Sequence, residues 1–213
     1  MTEIRSAVAS GELGQVLTIQ LEMSGGRTQF AGWRADPSLA GAGTINNIAV
    51  HAYDLLRFLL GAEVAEVSSM LGCGVGLPLE TAVMTLLRFD NDTLAYVNAN
   101  QSVPQPLNDL VIYGTDGRIT GRNITRPDRN GSVMIEANGS AVELEVSTVG
   151  AYRQTISDFG AAVLAGKPPT PAGADGLRSI QVSQAVVESW RTRRTISPGN
   201  QPGLGHRRKL ACR

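Results

Sequence analysis

Apolar and polar positions along the chain fall into blocks of period two and period 3.6, and these blocks predict its elements. Residues 15–23 (QVLTIQLEM) alternate as a strand leaving the glycine-bounded turn at Gly11 and Gly14. Residues 24–43 are rich in Gly and polar side chains and read as a long loop, which inside a compact domain is usually functional or disordered. Residues 45–60 carry apolar side chains at helical spacing, with Gly61 placed to end the helix. Strands are then expected at 64–71, 82–89, 93–101 and 108–113, with Asp90, Asn91 and Asp92 making one hairpin turn and Gly114–Gly117 another turn. Asn138-Gly139 is a strong two-residue hairpin signal between strands at 132–137 and 141–147.

Two helices close the pattern. Tyr152, Ile156, Phe159 and Val163 fall at i, i+4, i+7 and i+11, one apolar stripe ending before Gly166. Residues 176–192 form the second, with Leu177, Ile180, Val187 and Trp190 expected to face inward. Residues 199–213 show no periodicity and are expected to be a disordered tail. Strands arriving in a block, with helices before and after, predict an α+β fold with an open, mainly antiparallel sheet. Residues 82–89 are apolar on both faces. Helices can cover one face, which leaves the other available for oligomerisation.

Composition narrows the function classes. Nineteen Lys and Arg against nineteen Asp and Glu leave no net charge. Neither nucleic acid nor an anionic membrane is then an expected partner, since each calls for a clustered basic face. No apolar run reaches the roughly 18 residues of a membrane helix and no signal-peptide pattern opens the chain, so a cytoplasmic location is expected. Cys73 and Cys212 lie in a Gly-rich turn and next to the C-terminus, which reads as two incidental reduced thiols rather than a disulfide or a zinc site.

The candidate chemistry sits on the helix at 45–60. Ile48, Ala49, Ala52, Leu55, Leu56, Leu59 and Leu60 spread over its apolar side. Asn47, His51 and Asp54, at i, i+4 and i+7, form a narrow polar stripe opposite them. His51 is at its centre, and Asn47 or Asp54 could orient the imidazole and set its tautomer. The helix start, near Thr44 and Ile45, offers free backbone N–H groups beside the Gly-rich loop.

The string WRADPSLAGAGTINNIAVHAYDLLRFLLG, from Trp33 to Gly61, resembles the signature of the Gfo/Idh/MocA oxidoreductases, the glucose-fructose oxidoreductase and inositol dehydrogenase group. SGELGQV, the NDT turn, YGTDGRI, the Y-x-x-x-I-x-D-F helix and DGLRSIQVSQAVVESWRTRR follow in family order, so the resemblance spans about residues 3–198. It implies that residues 1–198 are the family's C-terminal substrate-binding and oligomerisation domain. It further implies that His51, with Asn47 beside it, does acid/base work on a substrate hydroxyl, that Trp33 and Arg34 line a sugar or polyol site, and that Asp54 supports the helix there. The implied cofactor is NAD or NADP, held by a Rossmann domain that also supplies a Lys from a Glu-Lys-Pro motif. This chain departs from the pattern. Asn47 stands where the family has Asp, and Ala49 where it has Gly. Asn accepts a hydrogen bond but cannot stabilise an imidazolium by charge. No G-x-G-x-x-G joins a strand to a helix, and Gly72, Gly74 and Gly76 lead toward a strand and read as a turn. Three readings follow: an oxidoreductase part (a truncated gene, a split subunit or an excised domain) whose partner carries NAD(P), a non-catalytic sugar-binding or oligomerisation module, and a cofactor-free lyase or isomerase using His51.

Overall fold

A computed structural model describes residues 1–25, 32–74, 77–101, 103–126, 130–147 and 149–199. The alternating segments assemble into one eight-stranded sheet. Its strands are β1 (Val16–Ser24), β2 (Val64–Cys73), β3 (Glu80–Phe89), β4 (Leu94–Asn100), β5 (Leu110–Gly114), β6 (Gly117–Arg122), β7 (Asn130–Ala137) and β8 (Ser140–Ser147). The spatial order is β2-β3-β4-β1-β5-β6-β7-β8. Every pairing is antiparallel except β1 with β4, which run parallel. The fold is therefore the expected α+β arrangement, an open sheet that is mainly antiparallel.

The period-two pattern sets the two faces. In β3, Val83, Thr85, Leu87 and Phe89 are buried while Met84 and Leu86 are exposed. The inner row continues across the sheet through Ala95, Ile19, Ile112, Ile119 and Ile135, all buried. The helices are α1 (Thr2–Ala9), α2 (Pro37–Ala40), α3 (Val50–Leu60), α4 (Ala151–Leu164) and α5 (Gly173–Thr192); α5 packs on β2, α3 on α5 and α1 on α3. α3 presents Ala52, Tyr53, Leu56 and Leu59 to the core. The Tyr53 hydroxyl and Thr85 Oγ1 share a buried hydrogen bond of 2.9 Å, which ties α3 to β3 at depth. Gly61 ends α3 in the left-handed region, as expected. Asn138 and Gly139 both have positive φ, the geometry of the tight β7–β8 turn.

Several expectations change. The helix expected over 45–60 opens with a π-helical turn at Ile45–Ala49 before α3 proper. The long loop contains a 3₁₀ turn at Gly32–Ala35 and the short α2, which Asp36 caps through the Ser38 amide at 2.7 Å. α1 and β6 were not anticipated: one is eight residues long, the other six with two glycines. Gly72 belongs to β2, and Gly76 is outside the described residues, as are residues 200–213 of the expected tail. Cys73 is disulfide-bonded, against the expectation of reduced thiols; the chain's other cysteine, Cys212, is outside the described residues. Among the described residues, no helix is long and apolar enough to cross a membrane.

In α5 the expected inward face is rotated. Ser179, Val182, Ser183, Ala185, Val186 and Ser189 are buried, whereas Leu177 and Ile180 are exposed and Val187 and Trp190 only partly covered. Serines near a buried strand edge can satisfy backbone groups that leucine cannot. Ser189 Oγ accepts from the Ser69 amide at 3.1 Å, and Ser69 Oγ donates to the Val186 carbonyl at 2.7 Å.

Replacing Tyr53 by Phe keeps the packing and removes only the hydroxyl, leaving Thr85 Oγ1 buried without its partner. Urea denaturation should then show a loss of about 1–3 kcal/mol. An unchanged midpoint would mean that the hydroxyl pair contributes nothing to holding α3 on the sheet.

Candidate functional site

The polar stripe forms around the start of α3, and an acidic residue from the sheet fixes that start. Glu80, the first residue of β3, is buried. Its Oε1 accepts from the Gly43 amide at 2.7 Å and the Ile45 amide at 3.0 Å, two of the free donors at the helix entrance. Thr44 Oγ1 donates to the Glu80 carbonyl at 3.2 Å. Gly43 is required here because a Cβ would run into that same carbonyl. Burial pushes the Glu80 carboxyl above its ordinary value, outweighing the pull of the Gly43, Ile45 and Glu80 amides. Its Oε2 is buried without a hydrogen-bond partner among the described residues. Sequence reading missed Glu80, although it is the acid that opens an apolar strand.

Asn47 and Asp54 are both engaged, but not with His51. Asn47 Nδ2 donates to Gln101 Oε1 at 2.8 Å, and buried Gln101 is bonded through its amide to the Thr81 carbonyl at 3.1 Å. Asp54 Oδ1 accepts from Ser179 Oγ of α5 at 3.0 Å and from Arg57 at 3.4 Å. His51 is exposed and makes no hydrogen bond or ion pair among the described residues. The expected orientation of the imidazole by Asn47 or Asp54 is therefore absent. The physical reason is competition from other elements: Gln101 takes the Asn47 carboxamide, and Ser179 and Arg57 take the Asp54 carboxylate.

Arg57 is the second residue that sequence reading passed over. Only 8% of its side chain is exposed. Its Nε and Nη2 donate to Glu63 at 2.8 and 2.7 Å, a two-pronged pair, and its Nη1 reaches the Asp175 carbonyl at 3.2 Å. The guanidinium beside it holds the Glu63 carboxyl below its ordinary value, and the same hydrogen bonding raises Arg57. α3, the approach to β2 and the start of α5 thus meet at one cation.

Trp33 and Arg34 project from the 3₁₀ turn, with the guanidinium 4.5 Å from the indole centroid. Both are exposed, and no hydrogen bond joins them to Asn47, His51 or Asp54. A cavity of about 360 Å³ lies elsewhere, between Arg5, Val16, Leu59, Leu60, Asn91 and Thr93. That is the far end of α3 from His51, about 12–14 Å along the axis. What the stripe offers chemically is an exposed imidazole on a rigid helix, flanked by a carboxamide and a carboxylate that are both anchored to other elements.

Comparison with known proteins places this geometry. Residues 1–120 match the sequence profile of the GFO/IDH/MocA C-terminal domain. The chain is 27% identical over 192 residues to 1,5-anhydro-D-fructose reductase of Ensifer adhaerens, covering 89% of this chain and 58% of that one. Among solved structures, the aldose-aldose oxidoreductase of Caulobacter crescentus, complexed with glycerol, superposes with a TM-score of 0.82 at 21% identity over 92% of this chain and 59% of that one. A levoglucosan dehydrogenase complexed with NADH and levoglucosan gives 0.77 at 22% identity, covering 92% of this chain and 62% of that one. The chain thus spans about three-fifths of the length of these relatives.

Because the Glu80 carboxyl is raised in the folded state, it binds its proton more tightly there than in the unfolded chain. Its contribution to stability is present below the ordinary value of 4.5 and is lost as pH rises through the folded value. In Glu80→Gln, which keeps the oxygen facing Gly43 and Ile45, urea midpoints should lose this decline above pH 4.5. Glu80→Ala should instead cost about 1–3 kcal/mol by stranding two amides. A Gln variant with the wild-type pH profile would show that Glu80 does not titrate in this way.

Proposed function

The chain belongs to the Gfo/Idh/MocA family as a copy of its C-terminal domain, and from that premise we propose that it is the substrate-facing part of a sugar or polyol oxidoreductase that uses NAD or NADP. His51 is the proton acceptor and donor for a substrate hydroxyl. Asn47, anchored by Gln101, lies beside it, and Trp33, Arg34 and Asp54 serve the sugar or polyol. The observation that carries this reading is His51 itself, exposed and unpaired at the first turn of α3 while both polar neighbours in its stripe are held by other elements. An imidazole with no internal partner is free to accept a proton from a ligand. The relatives' names and complexes, from 1,5-anhydro-D-fructose to levoglucosan and glycerol, support a small polyhydroxylated substrate.

The nicotinamide does not fit this chain alone. Among the described residues, no strand passes through a glycine-rich turn into a helix beside it, the arrangement a dinucleotide pyrophosphate needs. The cofactor would be held by a nucleotide-binding unit, continuous with this chain or separate from it, and that unit would supply the wall opposite His51. The cytoplasmic location expected from the sequence goes with this reading. A second reading, a sugar-binding module without redox chemistry, is favoured by one detail: Asn47 spends its side chain on Gln101 and has no charge to stabilise an imidazolium.

The uncovered sheet face supports assembly. Met70, Met84, Leu86 and Leu94 are 72%, 49%, 61% and 43% exposed, and they sit on neighbouring strands. They form a patch that a second copy of the chain would cover.

Two measurements bear on these proposals. With the nucleotide-binding unit supplied, His51→Ala should lower turnover of a sugar substrate by about 10²–10⁴-fold while sugar-induced thermal stabilisation persists. The chain alone should bind NADH negligibly in a fluorescence titration. Undiminished turnover in the variant would remove His51 from the chemistry, and tight NADH binding would overturn the division between the two units. Separately, light scattering should give a dimer or larger assembly, reduced to monomer by Met84→Glu with Leu86→Glu; a monomeric wild type at micromolar concentration would reject the assembly.

A further inference from the structure

The ends of two neighbouring strands meet at the turn that carries Asn47. β3 opens at Glu80 and β4 closes at Asn100, and the two are antiparallel partners with Ala82 opposite Asn100. One residue further on, Gln101 donates its backbone amide to the Thr81 carbonyl at 3.1 Å, which keeps these ends together. Both ends then hold the π turn at Ile45–Ala49. Glu80 grips its backbone: the carboxyl oxygen accepts from the Gly43 and Ile45 amides, and Asn47 donates its own amide to the Gly43 carbonyl at 3.1 Å. Gln101 grips a side chain. Its Oε1 accepts from Asn47 Nδ2 at 2.8 Å.

Gln101 is 1% exposed, so its carboxamide oxygen must find a donor inside the protein. Asn47 supplies one from its amide nitrogen. The oxygen of a carboxamide is on the branch opposite the nitrogen, so Asn47 Oδ1 is left facing away from that bond. Oδ1 has no hydrogen-bond partner among the described residues. Among those residues the only enclosed polar side-chain atom without a partner is Glu80 Oε2, so Asn47 Oδ1 reaches solvent. Asn47 stands four residues before His51 on continuous helical backbone, and the exposed imidazole likewise has no internal partner. The surface there presents an imidazole and, next to it, an uncharged oxygen that can only accept.

We propose that Gln101 is a positioning residue for the reaction: it orients the Asn47 carboxamide so that a second hydroxyl of the sugar or polyol meets an oxygen rather than an NH₂ group. This rests on the reading of His51 as the group that serves the reacting hydroxyl. The two branches of a carboxamide are nearly equal in size and opposite in hydrogen bonding. Left unheld, Asn47 would turn over to suit its ligand, and a hydroxyl or an ether oxygen would serve equally well. Held by Gln101, it pairs with a hydroxyl and sets oxygen against oxygen when the ligand cannot donate. Glu80 contributes by fixing the backbone from which Asn47 projects.

The test follows side-chain amide NMR signals of the whole chain. Those of Asn47 Nδ2 are identified by their loss in Asn47→Asp, and their hydrogen exchange is compared between the wild type and Gln101→Met, which keeps a long side chain without the carboxamide. Exchange should be at least about ten-fold faster in Gln101→Met. Levoglucosan and its tri-O-methyl ether, which cannot donate, are then titrated as probes. The preference for levoglucosan should shrink about five-fold in Gln101→Met, the worth of one neutral hydrogen bond. Adding Asn47→Asp to that variant should restore the preference, because a carboxylate shows an oxygen whichever way it turns; a general loss of structure would not be repaired so. Gln101→Glu, which keeps an accepting oxygen for Asn47 Nδ2, should retain the preference, and its loss there would overturn the proposal. Equal exchange in the wild type and Gln101→Met, or an unchanged preference, would overturn it as well. If neither probe binds the wild type while its Asn47 amide exchanges slowly, the sugar reading fails and Gln101 is left with a structural contact alone.

Discussion

The buried Arg57 guanidinium is the constraint on which the working side of this domain depends. A cation this deeply enclosed is tolerable only when its donors are used, and Arg57 uses them on Glu63, Asp54, Ser179 and the Asp175 carbonyl. Those partners belong to different parts of the chain, separated by up to 122 residues in sequence. Satisfying one charge thus sets the rotation of α3, the entry to β2 and the start of α5 together. Glu80 does the complementary job at the other end of the same helix, capping its entrance from the sheet. Between the two, α3 has little freedom to turn or slide, and His51 is presented in a fixed direction.

The division between anchored and free groups is what makes the stripe resemble a working surface. Asn47 and Asp54 are drawn back into the structure by Gln101 and Ser179, while His51 between them has no internal claim on it. A polar residue that is merely solvated needs no such framework around it. The same economy marks the helical layer. α5 buries Ser179, Ser183, Ser189 and Ala185 together with Val182 and Val186, and leaves Leu177 and Ile180 outside. Apolar area is left exposed on the open strands at Met70, Met84 and Leu86, and along α4 at Tyr152, Ile156 and Phe159.

Much of this was legible from local pattern. The strand at 82–89 was legible as a strand with two apolar faces, although which row would be buried was not, and Asn138-Gly139 and Gly61 marked a turn and a helix end by backbone chemistry alone. α1 and β6 escaped because eight residues, or six with two glycines, carry too little periodicity to stand out. In the candidate site, residue types were readable but their alliances were not. Asn47, His51 and Asp54 share a spacing, yet the partners that Asn47 and Asp54 take are side chains 54 and 125 residues away. Glu80 and Arg57 look like ordinary charged residues until the fold encloses them.

Sequence by itself determined the fold class, the two-faced sheet, the helix bearing the histidine and the family, because each is written in short-range periodicity or in an ordered run of residues. Tertiary structure alone decided which face of α5 turns inward, that α4 is left bare, and which of the three polar side chains stays free. Those outcomes depend on competition for contacts between segments far apart in the chain. In α5 the inward face combines Val182, Ala185 and Val186 with serines, and Ser189 and the Val186 carbonyl bond to Ser69 of edge strand β2, partners that lie more than a hundred residues away in sequence and that no local pattern reveals.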